Sequence, residues 1–366
     1  MSGFWDDIVT ITTTDVIAID RLCRLFMQDS VIVRGASVGK SARSSGEKPE
    51  SISVISFFSG CGGLDLGFRG GFSFKGKKYP KMPFNILKAY DYDEKCVVTY
   101  KKNIGDHIEQ YDLSKIAPED MPYADVVIGG FPCQDFSSCG PKRGLSSQRG
   151  RLYQALIKYM RHHKPKIVVG ENVPHLLRIN GGSAIKRILE ELREEDYRFS
   201  EPWNLFAPAY GVPQRRRRIF LVGVRNDLTG APEIPTETHA SGFYPSIDWA
   251  IRDLESMTGD DMPNQGQYFA ASRAKNGNGQ GDETSMAGLP AYTVRANAKS
   301  CVQFHYKLDR RLTVRECARL QTFPDDFEFA HSATANIMQI GNAVPPVLGH
   351  VVAKSILDFL RKNQNA

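Results

Sequence analysis

Ser51-Ile-Ser-Val-Ile-Ser-Phe-Phe-Ser-Gly-Cys-Gly-Gly-Leu64 carries the strongest fold signal in the chain. An apolar, β-branched run that predicts a strand over Ser51 to Phe58 halts at Gly60, Gly62 and Gly63, where the backbone must turn tightly and approach a ligand closely. A glycine-rich turn alone is often only a turn, so its surroundings matter. The next predicted strand, Asn85 to Tyr90, ends in Tyr90-Asp91-Tyr92-Asp93, which places a carboxylate where nucleotide-binding sheets hold ribose hydroxyls. The spacing exceeds that of the dinucleotide fingerprint because Gly71 to Pro83 is inserted between the two elements.

Outward from this pair, Asp125 to Ile128, Lys166 to Val169 and Arg218 to Val224 read as further strands. Between them Leu152, Ala155, Leu156, Tyr159 and Met160 repeat at helical spacing, as do Ile185, Ile188, Leu189 and Leu192 behind a cap expected at Ser183. Alternation of this kind predicts an α/β protein with a doubly wound, mostly parallel sheet and helices on both faces. Val38 to Ser51 is polar and Ser-rich, a linker composition. From Thr229 to Lys299 the periodicity fails in favour of Gly, Pro, Asn and Ser. Helical signals return with a capping box at Thr313-Val-Arg-Glu316 and with Val347, Leu348, Val351, Val352, Ile356 and Leu360 behind Pro345-Pro346. The expected organisation is an extension over 1–50, a catalytic and cofactor-binding domain over 51–226, a smaller irregular domain over 227–330, and a segment over 331–366 that returns to the first domain.

With 366 residues, 41% of them hydrophobic, the chain can bury a sizeable core. Its formal charge of +6 is compatible with a polyanionic partner and decides nothing alone. Seven cysteines without a C-x-x-C pair argue against a disulfide framework and a tetrahedral zinc site, so no metal is expected and a reducing cytoplasm fits best. Asp6, Asp7, Asp15 and Asp20 interrupt the opening apolar stretch, so neither a signal peptide nor a membrane span is expected there.

Two predicted strands deliver reactive side chains at their carboxyl ends, where open α/β sheets build their sites. Ile128-Gly-Gly-Phe-Pro-Cys-Gln134 presents Cys133, and Val169-Gly-Glu-Asn-Val173 presents Glu171. A buried structural role is the better reading for Cys23, Cys96, Cys301 and Cys317. Cys133 differs because Gly129, Gly130 and Pro132 are expected to form an irregular turn, not a packed strand. Glu171 follows an apolar run, where an unpartnered carboxylate is costly. A thiolate adding to C6 of cytosine, with an acid donating to N3, makes an enamine whose C5 can attack an electrophilic methyl group.

Phe58-Ser-Gly-Cys-Gly-Gly63, Gly130-Phe-Pro-Cys-Gln134, Glu171-Asn-Val173, Gln214-Arg-Arg-Arg-Arg218, Arg315-Glu-Cys-Ala-Arg-Leu-Gln321 and Gly341-Asn-Ala-Val-Pro345 stand in the order of the motifs of DNA cytosine-5 methyltransferases. From Ser51 to the C-terminus, the irregular region apart, the chain resembles that family. The resemblance implies an S-adenosylmethionine-dependent methyltransferase fold, S-adenosyl-L-methionine as cofactor, and double-stranded DNA as substrate, with target recognition in the irregular domain. It makes Cys133 the nucleophile, Glu171 the acid at N3, and Arg216 and Arg218 supports of the catalytic loop and target nucleotide. It assigns Phe58, Gly60, Gly63, Asp91, Tyr92, Asp112, Leu113, Pro132, Leu152, Asn342 and Ala343 to the cofactor. A cognate restriction endonuclease acting on the same site is a candidate partner, and a cytoplasmic monomer is expected. The target base must leave the duplex to be reached.

Four consecutive arginines are more often a solvated basic face. In an extended strand, however, Arg216 and Arg218 share one face and Arg215 and Arg217 the other. Lys142, Arg143, Arg149 and Arg151 follow Cys133 and suit phosphate contacts in a mobile loop. The Asn276-Gly-Asn-Gly-Gln-Gly281 stretch and Thr293-Val-Arg295 are candidates for sequence choice, with a connector or folding role as the alternative. Two departures from the family pattern stand out: Ser56 where an acid is frequent, and Cys139 where a small or hydroxyl residue is usual. Two rival functions stay open, a tRNA cytosine methyltransferase and a silent DNA-binding module.

Overall fold

The computed structural model describes residues 51–131, 152–268, 282–297 and 302–364. Strand β1 (Ile52–Phe57) feeds α1 (Gly63–Arg69), and the insertion forms a hairpin of β2 (Phe72–Phe74) and β3 (Lys77–Tyr79). There follow β4 (Phe84–Asp91), α2 (Glu94–Asn103), β5 (Ile108–Gln110), β6 (Val126–Gly130), α3 (Gln154–His163), β7 (Ile167–Asn172), α4 (Ser183–Arg193), β8 (Tyr197–Phe199), β9 (Trp203–Phe206) and β10 (Arg217–Arg225).

Among the described residues these strands make an eight-stranded sheet in the order β5-β4-β1-β6-β7-β10-β8, with β9 also on β10. From β5 to β7 all pairings are parallel. The order runs outward from β1 through β4 to β5, then returns to add β6 and β7 on the other side. The reversal lies between β1 and β6, the place where such sheets open a ligand crevice. The mostly parallel expectation holds, and β10 is the exception: it runs antiparallel to β7, with Phe220 opposite Glu171. Its amino end therefore meets the carboxyl edge of β7.

Alternate strand residues point to opposite faces, and each face has its own core. Val54, Val126, Ile128, Val169 and Phe220 belong to one apolar cluster, while Ile55, Val127, Val168, Ile219 and Leu221 belong to the other. The second is covered by α3 and α4. The first continues into the C-terminal part of the chain, through α5 (Ile247–Ile251), α6 (Val314–Leu320), α7 (Ala333–Asn342) and α8 (Pro346–Gln364). Between α5 and α6 in sequence, the short strands β11 (Glu283–Thr284) and β12 (Gln303–Phe304) pair in parallel. Helix α8 crosses α1 so closely that a Cβ on Gly67 would lie 2.6 Å from the backbone of Gly349. The most apolar window of Ala333–Gln364 is 72% buried inside the protein, as in a core helix.

The capping box is present: Thr313 accepts from Glu316 N while the Glu316 side chain accepts from Thr313 N. Arg315 donates to the carbonyls of Pro263, Pro324 and Phe327, so this motif ties loops together. Two local expectations change. Helix α4 is preceded by Gly182 at φ 90, with Ser183 as its first residue. Gly129 and Gly130 lie inside β6 and form no irregular turn. They are needed for space: a Cβ on Gly129 would sit 2.9 Å from the Phe57 carbonyl, and one on Gly130 would sit 2.8 Å from Glu171 Oε2.

Candidate active site

The carboxyl ends of β1, β4, β6 and β7 open on a cleft of about 730 Å³, within the range of small-molecule sites. Phe58, Gly60, Gly63, Asp91, Tyr92, Asp112, Leu152, Asn342 and Ala343 all line it, together with Glu171 and Arg218. Leu113 does not: it is 3% exposed and packed in the core beneath. Pro132 and Cys133 lie outside the described residues, as do Cys139, the basic residues from Lys142 to Arg151, and Asn276 to Gly281.

At one end of the cleft the chain is bent hard. Phe58 has φ 54 and Gly60 φ 56, and a non-glycine residue in that region marks strain held in place by its surroundings. The turn is fastened by Asp91, whose Oδ2 accepts from Gly60 N at 2.8 Å and whose Oδ1 accepts from Asp93 N at 2.9 Å. Asp93 in turn caps α2 through Lys95 N. Burial raises the Asp91 carboxyl above its ordinary range. Each Asp91 oxygen retains a second lone pair for a hydroxyl donor. Tyr92 beside it is 65% exposed, an aromatic face offered to the cleft. Asp112 caps a short turn through Ser114 N, and hydrogen bonding from Ser114 holds its carboxyl below the usual range.

Ser56 also lines the cleft floor. Its hydroxyl donates to Asp65 Oδ2 at 3.0 Å, and Tyr100 donates to Asp65 Oδ1 at 2.9 Å. Asp65, from α1, thus brings a carboxylate to the corner where β1 carries Ser56. Asp65 is fully buried, and that burial pushes its carboxyl up to about 6. The sequence signal was the pair Ser56 and Asp65 nine residues apart, which only the turn brings together.

At the other end Glu171 projects from β7 with 8% of its surface exposed. Arg218 Nε on β10 lies 2.8 Å from Glu171 Oε1. Burial raises the Glu171 carboxyl, and the charges of Arg218 and Arg216 act against that rise. Asn172, one residue on, donates to the Phe131 carbonyl at 3.1 Å and accepts from Val173 N. It therefore ties the strand bearing Glu171 to the residue two before Cys133, a positioning role that sequence reading had not assigned.

Arg216 is buried, in agreement with the expected alternation, while Arg215 and Arg217 are exposed. Its guanidinium donates to the carbonyls of Val294, Gly341 and Ala343 and does not line the cleft. Gln214 donates to Gln321 Oε1 and accepts from Val294 N, and Gln321 donates to the carbonyls of Ile340 and Ala343. Together these groups hold the Gly341 to Ala343 turn at the cleft wall. Val294 and Thr293 are bound into the same network, Thr293 through the Arg215 carbonyl.

Comparison with known proteins identifies the family. A family model described as C-5 cytosine-specific DNA methylase matches residues 52–280 and 255–358. The chain is 34% identical to Type II methyltransferase M.NgoFVII of Neisseria gonorrhoeae, over 87% of this chain and 89% of that protein. It is 33% identical to Type II methyltransferase M.FnuDI of Fusobacterium nucleatum, over 84% and 95% respectively. Among solved structures, the Entamoeba histolytica methyltransferase EhMeth superposes with a TM-score of 0.64 at 16% identity, over 85% of this chain and 99% of that one, which speaks to the fold. The chain belongs to the C-5 cytosine-specific DNA methylase family and is a DNA cytosine-5-methyltransferase.

Proposed function

We propose that the chain methylates C5 of a cytosine within a specific sequence of double-stranded DNA, with S-adenosyl-L-methionine as methyl donor and Cys133 as nucleophile. The observation that carries this reading is the single cleft in which Glu171 and Arg218 face the strained Phe58 to Gly63 turn. The residues suit the donor: Tyr92 offers an aromatic face for a base, Asp91 lone pairs for ribose hydroxyls, and Phe58, Leu152, Asn342 and Ala343 the remaining wall. When bound, the donor supplies an electrophilic methyl group.

The side chains act on the cytosine. The Cys133 thiolate adds to C6 as Glu171 donates a proton to N3, which places the electron pair at C5. After C5 takes the methyl group, water takes the C5 proton, the freed electron pair re-forms the C5–C6 double bond and expels the thiolate, and the N3 proton goes back to Glu171. A cytosine stacked in a duplex cannot bring C6 to a thiol at a cleft, so the base flips out to react. The Type II methyltransferases it resembles make a modification role beside a restriction endonuclease the natural setting.

Bisulfite sequencing of DNA from cells expressing the chain tests the reading. Protected cytosines in one sequence context are expected, and none with Cys133→Ala. Methylation retained in Cys133→Ala overturns the mechanism, and label from the methyl donor appearing in tRNA alone overturns the substrate.

A further inference from the structure

Arg217, the first residue of β10, and Arg215, two residues before it, are exposed on either side of the buried Arg216. Each guanidinium lies over a ring: Arg217 at 4.4 Å from the centroid of Phe206, Arg215 at 5.8 Å from that of Tyr292. Phe206 is braced edge-on by Tyr244 at 5.5 Å. The Arg215 backbone is clamped as well, its N–H donating to the Ala291 carbonyl and its carbonyl accepting from Thr293. Among the described residues neither arginine is ion-paired, unlike Arg218 or Arg225.

An aromatic face orients a guanidinium without neutralising it, so the full positive charge and the edge N–H groups stay available. Orienting them beforehand also lowers the ordering cost of binding. A carboxylate partner would cancel the charge. Arg218, the next residue, lines the cleft, and Arg215 and Arg217 present the opposite face of the same extended segment to solvent, so both cations flank a cleft-lining arginine in the chain and stand open to a polyanionic backbone.

We propose that Arg215 and Arg217 are a phosphate grip for the DNA backbone flanking the cytosine, held in readiness by Tyr292 and by the Phe206–Tyr244 pair. The grip reads charge and not base sequence. The inference rests on DNA as substrate, and its test measures binding instead of methylation so that the two ideas fail separately.

The full chain, its Arg215→Gln/Arg217→Gln variant and its Arg215→Lys/Arg217→Lys variant are titrated with a fluorescent duplex of arbitrary sequence at several salt concentrations. Unfolding midpoints and S-adenosylmethionine binding are measured alongside. The glutamine variant should bind about tenfold more weakly at low salt. Its slope of log K against log salt should be shallower by about 1 to 2, since each neutralised phosphate accounts for about 0.9 of that slope. The lysine variant should keep the slope. An unchanged slope in the glutamine variant overturns the proposal, as does equal weakening in the lysine variant, which would make the role structural. Failure of the unaltered chain to bind any duplex would instead strike at DNA as its substrate.

Discussion

Glu171 and Asp65 line opposite ends of one cleft, both buried and both pushed above the ordinary carboxyl range. Glu171 has a guanidinium at 2.8 Å. Asp65 has two hydroxyls, those of Ser56 and Tyr100. The contrast separates two uses of a buried acid. The proton affinity of Glu171 is a balance between burial and cations on a neighbouring strand, so one side chain can retune it. That of Asp65 is set mainly by burial, so it reports on the integrity of the strained turn.

The largest effect expected from breaking this contrast is at Glu171. Glu171→Gln cannot exchange a proton with N3, and single-turnover methyl transfer should fall by about 10²- to 10⁴-fold with donor binding retained. A fall under tenfold would place Glu171 with Asp65 as a structural acid.

Asp65 should appear in stability instead. Between its ordinary 3.8 and about 6, the folded chain holds a proton that the unfolded chain has released. The unfolding free energy therefore falls as pH rises through that window, by about 3 kcal/mol, and stays lower above it. Asp65→Asn should flatten that fall in denaturant titrations from about pH 4 to 7, and a parallel decline in both proteins would refute the assignment.

A smaller shift sharpens the comparison. Arg218 favours the ionised form of Glu171, so Arg218→Gln should let the proton persist to higher pH. The descending limb of the single-turnover rate, where activity declines as pH rises through the Glu171 value, should move upward by about one pH unit. A limb that does not move would mean that another group sets it.

Much of this was legible beforehand because the signals were local. Phe58, Gly60, Asp91 and Glu171 each close an apolar run, and the ends of parallel strands collect on one edge by geometry alone. The alternation of the four arginines followed from strand periodicity. Less legible were features that depend on distant chain. The glycines at 129 and 130 looked like a turn because nothing in their neighbourhood announces that Phe57 and the Glu171 carboxyl occupy the space of their side chains. Leu113 looked like a lining residue by its place in a motif, yet the turn that exposes Asp112 buries it.

The sequence by itself determined the strands, the glycine-rich turn, the Thr313 capping box and the set of residues available for chemistry, since backbone sterics and side-chain period act over a few residues. Only the tertiary structure decided that Asp65 meets Ser56 and Tyr100, that Asn172 fastens Phe131, and that Arg216 spends its hydrogen bonds on Val294, Gly341 and Ala343. Those arrangements join positions up to 127 residues apart. Their energy comes from satisfying buried polar groups that no local pattern pairs in advance.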